Sequence, residues 1–513
     1  MKEFKEYIAS NGETLLYVGN PNLEMLNDLA RGAGDLWHSS FEQGFKNAFS
    51  DIVYFSAVFF WYGNDFDGLD ECVSWRINPE AFVVRKSVWQ SVGGFDDDYK
   101  NPILKAFDFG YNLLKNSGGI PFYVKGLFSN STSLPIKISV LDRHVFYRKN
   151  FKAEHGIYMC LRKGFWKINE WDAFFKAKKR FATRKSCPIV APRELRPIEG
   201  KPTVSYVIPT MLRQEFTLTL LNDLKNQSYL PSQVVVVDAT PEDKRNESLY
   251  NPEDYPFEVV FKWQTTKGSC RARNEAIDLC TGDYIIFGDD DVRFHADFVE
   301  NHIRFLQTYS ADACNGLDLM ADHLKQDLND LKSKLDKLSD SRWRAGASNN
   351  FSNANSCVKR ARVIELGGND VNYDGGYGED GDFGISLTKI GATVLFNPFS
   401  ANLHLKPPVG GYRFWGSQAK IMGKKRKKQP WELDSPVKWV RPVPSPTVMY
   451  QLYKQFTPQQ RTEYKYKYFF RFLTKGNKWQ IPVKLFRLPY KLLQFNKSEF
   501  YAKKLLALGK RTA

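Results

Sequence analysis

Between residues 201 and 408, short β-rich runs alternate with helical spacings, and three of those runs stop at residues suited to ligand contact. The run 204–208 halts at Pro209-Thr210, 234–237 at Asp238, and 284–287 at the acidic triplet Asp289-Asp290-Asp291. The run 257–261 predicts another strand, and the spacings over 216–226 and 271–279 predict helices. Continuous apolar strands separated by helices call for an α/β fold with a mostly parallel, Rossmann-like sheet covered on both faces. In such sheets ligands collect at the carboxyl ends of the strands, where all three stops fall. Leucines at 324, 328, 331, 335 and 338 predict an amphipathic helix over 319–338, packed on its own domain or serving as a self-association or acceptor-side surface.

The chain repeats itself. Residues 83–123 align without gaps on 357–397 at a constant offset of 274, with identities that include Gly93/Gly367, Gly94/Gly368, Asp96/Asp370, Tyr99/Tyr373 and Asp108/Asp382. A fixed period over some forty residues predicts two related domains. The acids are not shared: Glu379-Asp380 is answered by Lys105-Ala106. Upstream, the strand expected over 51–55 runs into Ser56-Ala57-Val58 where the second copy would carry aspartates. The organisation expected is a degenerate domain over 1–140, a helical connector and proline-interrupted linker over 141–202, a catalytic domain over 203–411 and a basic aromatic region over 412–513.

Charge is distributed unevenly. The net +16 resolves into 24 Lys+Arg against 4 Asp+Glu from position 412 onward, leaving 49 against 53 in the rest. A nearly neutral body thus carries a strongly basic tail. That tail interleaves its charges with aromatics, from the cluster 424–428 through 464–472 to 485–508. Such a pattern without a spanning apolar run suits a segment lying on an anionic membrane surface. Binding to single-stranded nucleic acid is the rival reading, and a tail packed on the body is the plain one. Seven cysteines without a CxxC pair suit buried, reduced thiols and a cytoplasmic setting.

Sugar transfer from a nucleotide diphosphate requires groups that hold the nucleotide, neutralise the departing diphosphate and deprotonate the acceptor. Alternate carboxylates just past a strand end, such as Asp289 and Asp291, are suited to address ribose and a divalent cation together. Six segments, VSYVIPT (204–210), VVVVDAT (234–240), KGSCRARNEAID (267–278), GDYIIFGDDD (282–291), GYGEDGDFG (376–384) and LHLKPP (403–408), stand in the order found in family-two inverting glycosyltransferases of the GT-A fold. The chain resembles that family over roughly 203–408.

The resemblance implies a nucleotide pocket of Pro209, Thr210, Asp238, Gly268, Arg273 and Asn274, with Asp238 on the base, Asp289 on the ribose and Asp290 beside it. It implies Mn²⁺ or Mg²⁺ at Asp291 and His404, and Asp380 as general base next to Glu379. Like-charge repulsion from Glu379 would raise the Asp380 pKa. The chain departs from the family at Met211-Leu212-Arg213, on the pocket rim, and at Asp290, where the family commonly has a small residue. The function expected is transfer from a nucleotide-sugar donor, UDP-sugar foremost, to a glycan or lipid-linked acceptor of a bacterial surface polysaccharide. That work would sit at the inner face of the cell membrane, without nucleic acid, and an oligomer is compatible with it. The alternative is an inactive nucleotide- or sugar-binding scaffold of a polysaccharide assembly complex.

Overall fold

The computed structural model describes residues 3–39, 41, 43–44, 65–129, 138–264, 268–348, 350–412 and 440–513. They form two compact units, one of 1–192 with 340–347 and 462–472, the other of 193–339, 348–461 and 473–513. The expected strand over 51–55, the residues 56–58 after it and the lysine cluster 424–428 lie outside the described residues.

The first unit holds β1 (Lys5–Ile8), β2 (Thr14–Val18), α1 (Leu26–Arg31), β3 (Leu36–His38), β4 (Glu71–Val73), β5 (Phe82–Arg85), α2 (Lys86–Val92), α3 (Pro102–Asn112) and β6 (Pro121–Val124). Its sheet order is β1-β2-β5-β3-β6-β4. The helices α4 (Val140–Asn150), α5 (Ala153–Gly164) and α6 (Ile168–Arg180) follow. Val145, Phe146 and Tyr147 of α4 share a core with Trp75, Phe107 and Tyr111. The helical part of the stretch expected to be a connector thus packs into this unit's core, and residues 181–203 after it, where the linker was expected, form neither helix nor strand.

The second unit carries β7 (Val204–Thr210), α7 (Gln214–Lys225), β8 (Gln233–Asp238), β9 (Glu258–Trp263), α8 (Ser269–Leu279), β10 (Tyr284–Gly288), β11 (Val292–Phe294), α9 (Phe298–Thr308), β12 (Ala313–Met320), α10 (Leu328–Asp336), β13 (Asn355–Lys359), α11 (Arg360–Leu366), α12 (Glu379–Lys389) and β14 (Val394–His404). Strands β10, β7, β8 and β9 are parallel neighbours. Beyond β10 the sheet is mixed: β13 runs antiparallel to both β10 and β12, while β12 and β14 are parallel. Val207, Val235 and Val237 pack under Ala272, Ile277, Ile285, Phe287 and Phe383 in one core. Gly288 closes β10 where a Cβ would stand 2.0 Å from the Tyr206 hydroxyl, so only glycine lets the strand reach the acidic triplet here.

The helix expected over 319–338 is shorter. Leu319 belongs to β12, opposite Leu403 of β14, and α10 begins only after Asp327, whose carboxylate caps it in a capping box with Asp330. Leu328, Leu331 and Leu335 then pack on Leu403 and Leu405, so the leucine face is spent inside its own unit.

The segments paired by the repeat adopt matching elements. Residues 86–92 and 360–366 are both helices, each followed by two glycines with positive φ. In both units the strand before that helix is antiparallel to its two neighbours. Each unit also joins the corresponding aspartates through one cation. Arg184 Nη2 lies 2.7 Å from both Asp96 and Asp108, and Lys454 Nζ lies 2.8 Å from Asp370 and 2.7 Å from Asp382. Lys454 comes from α13 (Pro446–Gln455), followed by α14 (Pro458–Thr474), α15 (Ile481–Phe486) and α16 (Leu488–Ala507).

A Lys454→Met variant leaves the buried carboxylates of Asp370 and Asp382 without the cation that bridges them. Destabilisation of about 3 kcal/mol is expected in urea unfolding. A change below about 1 kcal/mol would show that the bridge is dispensable.

Candidate active site

Five parts of the second unit aim polar side chains into a cavity of about 600 Å³: the ends of β7 and β10, the starts of α8 and α12, and the segment after β14. Its lining includes Pro209, Arg213, Arg273, the triplet Asp289–Asp291, Asp318, Asn353, Glu379, Asp380, His404, Lys406 and Tyr412. Eight of the residues predicted from sequence are thus brought together. Thr210, Asp238, Gly268 and Asn274 do not line the cavity among the described residues.

The triplet is held by charge. Arg273 Nη2 donates to Asp289 Oδ1 at 2.7 Å. Arg213 Nη1 donates to Asp290 Oδ1 and Asp291 Oδ2, each at 3.0 Å, and Thr210 Oγ1 donates to Asp290 Oδ2 at 2.7 Å. Asp290 therefore faces neither solvent nor an open coordination position. Burial holds its carboxyl above the ordinary range, with Arg213 drawing it back and Asp291 pushing it further. Burial would raise Asp291 too, but His404 and Arg213 outweigh it and hold the group below its usual value.

Asp289, Asp291 and His404 offer ligand atoms that lie within 4.8 Å of one another. Asp291 Oδ1 is buried, accepts no hydrogen bond and stands 3.2 Å from His404 Nε2. The far ring nitrogen, Nδ1, is 3.2 Å from Asp318 Oδ2, which fixes the imidazole plane. Burial pulls the His404 pKa down, yet the carboxylates of Asp291 and Asp318 keep it up at about 10. Two carboxylates and one imidazole, with Asp291 Oδ1 turned toward His404, make a donor set that fits Mn²⁺ or Mg²⁺.

Across the cavity, Gly378 takes a left-handed turn that starts α12 with Glu379 and Asp380 in its first turn. Asn353 Nδ2 donates to Asp380 Oδ1 at 2.5 Å. Burial pushes the Asp380 carboxyl above the ordinary range, Arg273 opposes this, and Asp289 adds repulsion. The like charge that acts on Asp380 is thus Asp289 from the facing element, where the sequence pointed to its neighbour Glu379.

Asp238 ends β8 fully buried, and its carboxylate accepts from the Thr240 amide at 2.8 Å and the Tyr250 hydroxyl at 3.1 Å. Gly268 precedes α8 where a Cβ would meet Asp374 Oδ2 at 2.2 Å. Asp374 in turn accepts from the Cys270 amide at 2.7 Å and from Arg271 at 2.8 Å. Asn274 spends its amide inside the protein: Nδ2 donates to Asn369 O at 2.9 Å and Thr512 O at 2.8 Å, and Oδ1 accepts from the Asn369 amide at 2.7 Å.

Asn353, Asp318 and Tyr412 belong to none of the six motifs, and only the folded chain assembles them. Tyr412 donates to Thr210 O at 3.1 Å and Gln264 Oε1 at 2.9 Å. Arg213, visible in the sequence as a departure from the family, is the residue that clamps two of the three triplet acids.

Residues 205–318 match the family model described as glycosyl transferase family 2. The amylovoran biosynthesis glycosyltransferase AmsB of Erwinia amylovora is 32% identical over 107 residues, which is 20% of this chain and 35% of AmsB. The putative teichuronic acid biosynthesis glycosyltransferase TuaG of Bacillus subtilis (strain 168) is 27% identical over 124 residues, 24% of this chain and 49% of TuaG. The chain spans less than half the length of either relative. Among solved structures, the mannosyltransferase PcManGT from Pyrobaculum calidifontis, in complex with GDP-Man and Mn²⁺, aligns over 69% of this chain and 98% of its own at 16% identity, with a TM-score of 0.34.

Because Asn274 faces away from the cavity, an Asn274→Ala variant is expected to lose about 2 kcal/mol of stability in urea unfolding. Its affinity for nucleoside diphosphate should stay within about threefold by calorimetry. A collapse of affinity at unchanged stability would return Asn274 to the nucleotide pocket.

Proposed function

We propose that this chain, whose residues 205–318 belong to glycosyl transferase family 2, is an inverting, metal-dependent glycosyltransferase that takes a nucleoside-diphosphate sugar as donor. The observation that carries this reading is the convergence of Asp289, Asp291 and His404 with Asp380 on one cavity. When bound at Asp289, Asp291 and His404, Mn²⁺ or Mg²⁺ supplies positive charge against the departing diphosphate. Arg213 and Lys406 line the same cavity and add charge to that side.

Asp380 takes the proton from the acceptor hydroxyl. Its raised pKa suits a base that must accept a proton near neutrality, and its bond from Asn353 Nδ2 fixes the direction of the carboxylate. A single displacement needs no covalent nucleophile, which agrees with one base facing the metal-binding residues. UDP is the carrier the family most often uses. The names of AmsB and TuaG support an acceptor in surface polysaccharide synthesis, glycan or lipid-linked.

In the first unit, β2 stands beside β5 as β10 stands beside β13. With Val84 matched to Val358, the two registers pair Leu16 with Ile285 and carry Gly19-Asn20-Pro21-Asn22 onto Gly288-Asp289-Asp290-Asp291. The acids of the triplet are answered by amides and proline, and the first unit is a non-catalytic copy. The basic aromatic end of the chain faces an anionic membrane surface at the inner leaflet. Trp479 is 90% and Phe486 87% exposed, beside Lys478, Lys484 and Arg487, and no described helix is long and apolar enough to cross a membrane.

Asp380→Asn should lower kcat by about 10²- to 10⁴-fold in nucleoside diphosphate release from a panel of nucleotide sugars, with donor KM little changed. Asp291→Ala should weaken Mn²⁺ binding by at least about tenfold in titration calorimetry. Full turnover in the first variant, or unaltered Mn²⁺ affinity in the second, would remove these residues from their roles. Asn20→Ala should leave kcat within about twofold, and a large loss would show that the first unit takes part in the chemistry.

A further inference from the structure

The turn joining α5 to α6 in the first unit presents large apolar side chains to solvent. Phe165 is 67% exposed, Trp166 69% and Ile168 81%, with Leu161 at 45% and Phe175 at 59% beside them. Scattered exposed apolar residues are ordinary, but five within fifteen positions at the end of a helical hairpin form a patch. The turn is also rigidly built. Trp171 Nε1 donates to Phe165 O at 2.9 Å, the Lys167 amide donates to Gly164 O at 3.0 Å, and the rings of Phe165 and Trp166 meet edge to face at 5.0 Å.

Helix α6 is apolar on two sides. Ala173, Phe174 and Ala177 are buried within the unit, while Ile168 and Phe175 project from an uncovered face. Bulky apolar side chains on a helix face that its own unit leaves uncovered mark an interaction surface.

Charge identifies the occupant. Residues 161–180 hold seven Lys+Arg and two Asp+Glu. One of those acids, Glu170, is buried against Arg143 and His144 of α4, and the other, Asp172, is paired with Lys176. The outward charge is therefore almost wholly positive, with Lys167, Lys178, Lys179 and Arg180 exposed. Bulky apolar residues at a tip, ringed by lysine and arginine, match the boundary between anionic headgroups and acyl chains. A nucleic acid would make use of the aromatic rings but not of Leu161 and Ile168.

We propose that the α5–α6 turn is a membrane-inserting wedge, with Phe165, Trp166 and Ile168 entering an anionic bilayer surface and the surrounding cations binding its headgroups. The wedge deepens the membrane reading given above for the C-terminal helices but stands on different residues.

The test is co-sedimentation of the full chain with vesicles of phosphatidylcholine containing 30% (roughly one lipid in three) phosphatidylglycerol, a composition chosen for its negative surface. Phe165→Ser/Trp166→Ser/Ile168→Ser should reduce partitioning by about tenfold or more while nucleoside diphosphate release in solution is unchanged. Trp479→Ser/Phe486→Ser probes the C-terminal helices separately. If only that second variant loses binding, the wedge is overturned and the tail reading stands; if neither does, both fail. Should the triple variant not fold, Trp166→Cys labelled with nitrobenzoxadiazole replaces it: a blue shift on adding anionic vesicles supports insertion, and an unchanged spectrum overturns it. Self-association of the wild type that the triple variant abolishes, with vesicle binding intact, would assign the patch to a second copy of the chain and overturn the wedge.

Discussion

Six carboxylates, Asp289, Asp290, Asp291, Asp318, Glu379 and Asp380, line one cavity, and the compensation of their mutual repulsion organises the residues around them. Arg273 answers Asp289 from α8, and Arg213 answers Asp290 and Asp291 from the turn after β7. His404 answers Asp291 and Asp318 from the end of β14. Each cation comes from a different element, so the acidic site also ties together the carboxyl ends of the sheet. Removing one acid would leave a buried cation in excess, and removing one cation would leave unpaired carboxylates. At Asp291 Oδ1 the compensation rests on His404 Nε2 alone, at 3.2 Å, and these two groups with Asp289 are the ones that would hold a divalent cation.

The same economy of charge recurs on the far side of α12. Asp370 and Asp382 share Lys454 in the second unit, and Asp96 and Asp108 share Arg184 in the first. The aspartates sit at equivalent points of the repeat, but the cations come from unrelated segments, a helix near one end of the chain and an extended stretch after α6. The acids that serve structure are kept in both units, whereas the acids that line the cavity are found in one. Lys105 and Ala106, which the alignment sets against Glu379 and Asp380, suit the first unit's own packing: Ala106 is buried and Lys105 pairs locally with Asp97 at 2.7 Å.

Much of this was legible in the sequence. The apolar runs at 204–208, 234–237 and 284–287 predicted β7, β8 and β10 to within a residue or two, and the acidic triplet was expected where it stands, just past the end of β10. What escaped was whatever depends on partners far along the chain. Nothing around Asp318 or Asn353 advertises a role until β12 and the loop before β13 carry them to the cavity. Asp238 and Asn274 look like ligand contacts in their motifs, yet Tyr250 and the backbone at Asn369 and Thr512 occupy them. The leucines after Leu319 keep a helical period across a strand end because both β12 and α10 bury leucine on the same side. Periodicity could not see the boundary; the capping carboxylate of Asp327 could.

The basic segment changes its meaning once folded. Read as sequence it is an appendage of charge +20 on a neutral body. In the structure Phe495, Tyr501 and Ala502 of α16 are buried, and residues beyond that helix reach the loop that holds α8: the Val371 amide donates to Arg511 O at 2.8 Å and Arg511 Nε donates to Asn372 Oδ1 at 2.8 Å. Asn274, one residue from Arg273, accepts its place from the same strand of contacts through Thr512 O. The segment that carries the exposed tryptophan and phenylalanine is therefore continuous with the support of Arg273, and through it with Asp289. The residues 473–513 are thus part of the second unit's fold and not a free appendage to it.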